Sequence, residues 1–101
     1  MSEVPIAGLK QAIRDLHSCA SEYRSTTRVV QDFGDQGVWE GEVYTFDLIG
    51  HPSAVCCYAW SSPIEGSEIR RFVAVLQEPA VNSPEAAVRA AVGKEYSARG
   101  Q

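Results

Sequence analysis

The first part of the chain repeats apolar residues with the period of an amphipathic helix. Across residues 5–23 they recur every three or four positions, and polar or charged residues fill the positions between them. A proline at the start of this stretch is tolerated because it falls in the first helical turn. The spacing predicts a first helix over residues 5–23, with Leu9, Ile13 and Leu16 in its buried stripe.

The middle of the chain changes to the pattern of β-strands. Runs rich in β-branched and aromatic residues cover residues 25–33, 38–49, 54–61 and 69–77. Two glycines within residues 34–37 predict a hairpin between the first two strands, and Gly41 inside the second strand predicts a β-bulge. A loop is expected over residues 62–68. Because the links between strands are short, we expect an antiparallel meander.

A second helix is indicated near the end of the chain. Ser83 followed by Pro84 is a typical helix start, with a capping hydroxyl and a proline at the first helical position. The helix is expected to cover residues 86–92 and to end at Gly93. The polar residues after it are expected to fray.

These elements predict an α+β fold with the order α-β-β-β-β-α. An antiparallel sheet with one apolar face must cover that face, and the first helix carries the wider apolar stripe. We therefore expect a two-layer sandwich in which this helix packs on a four-stranded antiparallel meander, plus a short C-terminal helix. The 101 residues are expected to form a single domain, with an ordered core over about residues 5–93.

Charge and composition narrow the classes of function. The formal net charge of -4 and the dispersed basic residues argue against nucleic-acid binding. The element order superficially resembles a double-stranded RNA-binding domain, but this chain has a fourth strand and carries Pro84 and Glu85 where that domain has a basic cluster. The chain shows neither a signal-peptide pattern nor a membrane-spanning run, and its three cysteines are an odd number. We expect a cytoplasmic protein without a membrane partner.

The adjacent residues Cys56 and Cys57 are the first candidates for chemistry. Neighbours on a strand point to opposite faces, so we expect at most one in the core and the other on the open face, with packing favoured over catalysis. His51 stands at a tight turn, but its spacing from the cysteines does not match a zinc site. The sequence therefore predicts no catalytic residue, no metal site and no cofactor.

Carboxylates and aromatic rings are the remaining candidates. Glu40 and Glu42 fall on one face of a strand about 7 Å apart, a spacing that suits an acid–base pair, a cation site or a solvated strand face. Tyr44, Tyr58 and Trp60 occupy even positions of neighbouring strands, so we expect all three rings on the face away from the first helix. The alternative, in which these rings form the core, stays open because a bulge would shift the register.

Three short motifs resemble a group of small bacterial proteins of unknown function. The motifs are W-x-G at residues 39–41, G-H-P at residues 50–52 and Y-A-W at residues 58–60. The group includes proteins encoded by mobile gene cassettes of the integron type, and the resemblance covers about residues 10–92. It implies a bacterial protein and brings no substrate and no catalytic residue.

The combined pattern favours a small binding or interaction protein that uses its sheet face. We expect it to associate with itself as a homodimer or with another protein. The candidate binding or interface residues are Tyr44, Tyr58, Trp60, Trp39, His51 and Glu42. The alternative is a small-molecule binder or enzyme with a pocket between the first helix and the sheet.

Overall fold

The computed structural model describes residues 6–63 and 70–99, and the side chains of residues 6–62 and 71–94. Its elements are α1 (Ile6–His17), β1 (Ala20–Asp32), β2 (Val38–Ile49), β3 (Cys56–Pro63), β4 (Arg70–Leu76) and α2 (Pro84–Arg99). The strands form an antiparallel meander in the order β1-β2-β3-β4. The predicted α+β fold and the order of its elements are confirmed.

The strand predictions are closest for β2, whose two ends lie at the predicted residues. A turn of 3-10 helix over Gly34–Gln36 connects β1 to β2, and Gly34 and Gly37 adopt positive φ values of 65° and 104°. The residues predicted as the first part of the next loop, 62–63, belong to β3. The rest of that predicted loop, residues 64–68, lies outside the described residues.

The first helix ends at His17, so the prediction of a helix as far as residue 23 is wrong. Ser18 has φ 56° in the left-handed region, and its N–H donates to the carbonyl of Arg14 at 2.8 Å. The chain then enters β1 at Ala20. The apolar spacing continued across this turn because Tyr23 lies on the same sheet face as its pairing partner Phe46, where its 43% exposed ring contacts Tyr44 and Phe46 of β2.

The buried stripe of α1 contains Leu9 and Ile13, which are fully buried, but not Leu16, which is 58% exposed. The buried stripe repeats every four residues, so the position after Leu9 and Ile13 is His17. The Nε2 atom of His17 lies 3.1 Å from the carbonyl oxygen of Ala74 on β4. The polar residue therefore takes the sheet-facing position in the last turn. The prediction of a buried Leu16 is wrong for this reason.

The bulge lies in β1 and not at Gly41. The ladder between β1 and β2 shifts register between Tyr23 and Ser25, whereas Gly41 pairs regularly with Val29. Gly41 has a different role, because a Cβ at this position would lie 3.0 Å from the ring of Trp39. The glycine lets the indole ring lie over the strand.

The two helices cover opposite faces of the sheet. The first core, under α1, contains the buried residues Leu9, Ile13, Cys19, Tyr44, Phe46, Cys57 and Ala59. The second core, under α2, contains the buried residues Val29, Val43, Cys56, Tyr58, Trp60, Val81, Ala87, Val88 and Val92. The expectation that the chain leaves one sheet face open is therefore wrong, because the second helix packs on that face.

The second helix begins where the sequence indicates but ends later. Ser83 caps it, since the N–H of Ala86 donates to the Ser83 Oγ at 3.2 Å, and Pro84 is its first residue. The helix continues through Gly93 to Arg99, so the predicted end at Gly93 is wrong. A glycine inside a helix costs about 1 kcal/mol, and the burial of Val92 in the second core offsets this.

Candidate functional site

The three aromatic rings predicted to share one face lie on both faces. Tyr44 pairs with Ala59, whereas Tyr58 pairs with Thr45, so even positions of β2 share a face with odd positions of β3. Tyr44 therefore belongs to the first core, and Tyr58 and Trp60 belong to the second core. The prediction of a common aromatic face is wrong because it took even positions of both strands to share a face, whereas the register pairs even with odd positions.

These rings pack inside their own chain. Trp60 is 1% exposed, and its ring meets the half-buried Trp39 edge to face with a centroid distance of 5.7 Å. Tyr44 and Tyr58 are also buried. Burial raises the pKa of Tyr58 to about 12, with a further contribution from its hydrogen bond to Cys56. The rings therefore serve as core residues and do not form an open binding surface.

The other predicted site residues have local structural partners. The Nδ1 atom of His51 accepts the N–H groups of Ser53 at 3.1 Å and Ala54 at 2.9 Å, which closes the turn before β3. Burial, followed by the charge of Glu42, raises the pKa of the Tyr44 hydroxyl, which also hydrogen-bonds the Glu42 carboxylate.

The carboxylates of Glu40 and Glu42 share a strand face but do not form a pair. Glu40 makes an ion pair with Arg28 across the hairpin, while Glu42 contacts the hydroxyl of Tyr44. Within residues 6–63 and 70–99, no group of three or more His, Cys, Asp and Glu side chains could hold a metal ion.

The adjacent cysteines point to opposite faces, as the strand pattern predicts, and both are buried. Cys56 lies in the second core and Cys57 in the first core, so the expectation that one of them lies on an open face is wrong. Burial raises the pKa of the Cys57 thiol to about 12, with smaller contributions from Cys19 and Cys56. This environment disfavours the thiolate that a nucleophile requires.

A pocket of about 470 Å³ lies between α1 and the start of β1. Its helix wall consists of Ala7, Lys10, Gln11 and Arg14, which form one stripe beside the buried stripe. Its sheet wall consists of Ala20, Ser21 and Glu22 from β1, with Ile49 from the end of β2. None of these residues was among the candidates from the sequence.

The exposed rim of this pocket carries two cations. Lys10 and Arg14 lie one helical turn apart, and neither forms an ion pair with any residue of the described part of the chain. By contrast, Arg24 on β1 is paired with Asp47. Glu22 is the one acidic residue of the pocket wall. The two cations therefore outnumber the acid around this pocket.

The deepest polar residue of the pocket wall is Ser21. It is 4% exposed, and its Oγ has no hydrogen-bond partner among the described residues. Ser21 pairs with Leu48, which packs in the first core, so its side chain lies on the face covered by α1. A buried hydroxyl without a partner costs about 1–3 kcal/mol, and native proteins contain few such groups without a functional or structural reason.

Known proteins add no assignment to this site. Comparison of the chain with models of protein families, with curated proteins and with solved structures found no match in any of the three. The similarity of its short motifs to small bacterial and cassette-encoded proteins stays a prediction. No helix of residues 6–63 and 70–99 has the length and apolar character needed to cross a membrane.

Proposed function

We propose that this protein binds a small anionic molecule in the pocket between α1 and β1. The observation that carries the proposal is the pair of exposed cations Lys10 and Arg14, which line this pocket and have no ion-pair partner among the described residues. The Ser21 hydroxyl, enclosed behind the same wall, has no hydrogen-bond partner among those residues either. The volume of about 470 Å³ falls in the range of small-molecule sites, about 300–1,000 Å³. The pocket also lies between the first helix and the sheet, where the alternative prediction of a small-molecule binder or enzyme expects one.

The chemistry of the rim supports an anion. The guanidinium of Arg14 can donate two parallel hydrogen bonds to a carboxylate or phosphate, and Lys10 adds a second positive charge one turn away. The protein as a whole has a formal charge of -4, so it does not attract anions nonspecifically. Anion binding is therefore expected to depend on these two side chains.

The proposal is tested by thermal unfolding in the presence of sodium succinate or sodium phosphate, titrated to tens of millimolar at constant ionic strength. At about ten times the dissociation constant, binding to the folded state adds about 1.4 kcal/mol, which raises the midpoint by roughly 5–10 °C. We expect a saturable rise for at least one of the two anions.

Two variants locate the effect. The double variant Lys10→Gln/Arg14→Gln is expected to lose the anion-dependent rise while it keeps its midpoint without ligand, because both side chains are exposed. Lys94→Gln is the matched control, since Lys94 is an exposed cation on α2, which covers the other face of the sheet. An equal loss in the control variant, or no saturable rise in the wild type, would reject the proposal.

Self-association, a protein partner and a location in the cytoplasm stay predictions from the sequence. The anchors expected for an interface through the sheet face were Tyr44, Tyr58 and Trp60, and all three are buried within the chain. A homodimer would therefore use other residues. Sedimentation at micromolar concentrations measures the oligomeric state independently of ligand binding.

A further inference from the structure

We infer that the anion bound in this pocket is the C-terminal carboxylate of an extended peptide, which adds as a short strand to the outer edge of β1. The inference rests on the proposed anion-binding function and specifies its ligand. Three features carry it: the first residues of the edge strand β1 line the pocket, two cations line the helix wall of the same pocket, and a bulge interrupts β1 shortly beyond it.

The free edge of β1 supplies main-chain hydrogen-bonding groups. β1 is the terminal strand of the sheet, and within the described residues its backbone pairs only with β2. In an edge strand every second residue directs its N–H and C=O away from the sheet. The three consecutive wall residues Ala20, Ser21 and Glu22 therefore include at least one residue with both groups directed outward.

The cations of the helix wall favour the carboxylate end of a peptide. Lys10 and Arg14 line the same pocket as the first residues of β1, so a peptide added at these residues ends beside two cations without ion-pair partners in the described part of the protein. Addition of an extended peptide to a sheet edge combines main-chain hydrogen bonds with pockets for alternate side chains. A carboxylate at the peptide's end is attracted by the two cations of the rim. The apolar wall residues Ala7 and Ile49 suit an apolar side chain on the last peptide residue.

The bulge limits the length of the added strand. The regular ladder of β1 is interrupted between Tyr23 and Ser25, and Arg24 at this point is paired with Asp47. A bulge bends its strand and disrupts further pairing at that edge. The part of β1 before the bulge covers residues 20–23, which corresponds to about 14 Å of extended chain at about 3.4 Å per residue. A chain end of three or four residues fits this length.

The site also discriminates among peptides. Glu22 in the sheet wall is exposed and disfavours additional acidic side chains on the ligand. The carboxylate is therefore expected to be the peptide's only negative charge. A suitable probe is the tetrapeptide acetyl-Ala-Ala-Ala-Val with a free carboxyl end.

The test is calorimetric titration of the wild-type protein with this peptide, with its C-terminal amide and with sodium acetate. We expect the free acid to bind at least ten-fold more tightly than the amide and than acetate. Two further peptides carry an N-methyl group on the second or on the third alanine. Because an added strand bonds its neighbour through every second residue, one methylated peptide should lose at least ten-fold in affinity and the other should not.

The outcomes separate the inference from the proposed function. Binding of acetate as tight as that of the peptide, or equal affinity of acid and amide, overturns the peptide inference and leaves anion binding to be judged by the thermal titration. Equal effects of the two methyl groups overturn the strand addition. Absence of binding by the peptide and by acetate, together with no saturable thermal rise for succinate or phosphate, contradicts the inference and the proposed function together.

Discussion

Replacement of Trp60 by alanine is expected to lower the free energy of unfolding by about 3–5 kcal/mol. The indole ring is 1% exposed, lies in the second core and packs edge to face on Trp39. Its removal deletes one of the largest buried side chains and leaves a cavity between the sheet and α2. Urea unfolding followed by circular dichroism measures this loss.

The same measurement distinguishes a core residue from an interface residue. Phe72→Ala serves as the control, because Phe72 is an aromatic residue of β4 that is partly exposed. This variant is expected to lose less free energy of unfolding than Trp60→Ala. For Trp60→Ala the loss should be the same at all protein concentrations. A loss below about 1 kcal/mol combined with a weaker dimer in sedimentation would contradict the burial of Trp60 within its own chain.

On α1, Ile13→Ala is expected to cost about 2–5 kcal/mol and Leu16→Ala less than about 0.5 kcal/mol. Ile13 is fully buried under the helix, whereas Leu16 is largely exposed and His17 takes the sheet-facing position beside it. Both residues lie on the same helix, and alanine is a good helix former at either position. Denaturant midpoints and slopes of the two variants give the comparison; equal losses would reject the position of the helix on the sheet.

The parts of the fold that the sequence predicts are those determined by local chemistry. The strand over residues 38–49 is bounded by glycines on both sides, and its β-forming residues need no distant contact to favour an extended chain. The start of α2 depends on a hydroxyl and a proline in adjacent positions, and Ser83 forms the expected capping bond. Such signals depend on four or five neighbouring residues and do not require a particular tertiary arrangement.

The end of α1 is decided by tertiary packing, which the sequence pattern does not contain. Tyr23 fits the helical spacing of the preceding apolar residues, yet its ring packs on Tyr44 and Phe46 in the sheet. The faces of Tyr58 and Trp60 depend on the register between β2 and β3, and a change of one residue in the loop reverses them. Periodicity within one strand does not fix the register between two strands.

The pocket exists because α1 ends at His17. A helix that continued to residue 23 would place Ser21 on its polar side, and only the turn at Ser18 brings the start of β1 back along α1. The pair Lys10 and Arg14 is visible in the sequence as two cations one turn apart. That signal alone describes an ordinary solvated helix face, and the unpartnered hydroxyl of Ser21 becomes apparent only from the structure.

The most direct test of the pocket is thermal unfolding of Ser21→Ala, with and without the anion that stabilises the wild type. Without the anion, the variant is predicted to be more stable than the wild type by about 1 kcal/mol, because it removes a buried hydroxyl that lacks a partner among the described residues. With the anion, its rise in midpoint is predicted to be smaller than that of the wild type, because the enclosed Ser21 hydroxyl is expected to turn toward the bound anion and donate a hydrogen bond that alanine lacks. A variant that is less stable without the anion, or that keeps the full anion-dependent rise, would contradict the assignment of Ser21 to a ligand site.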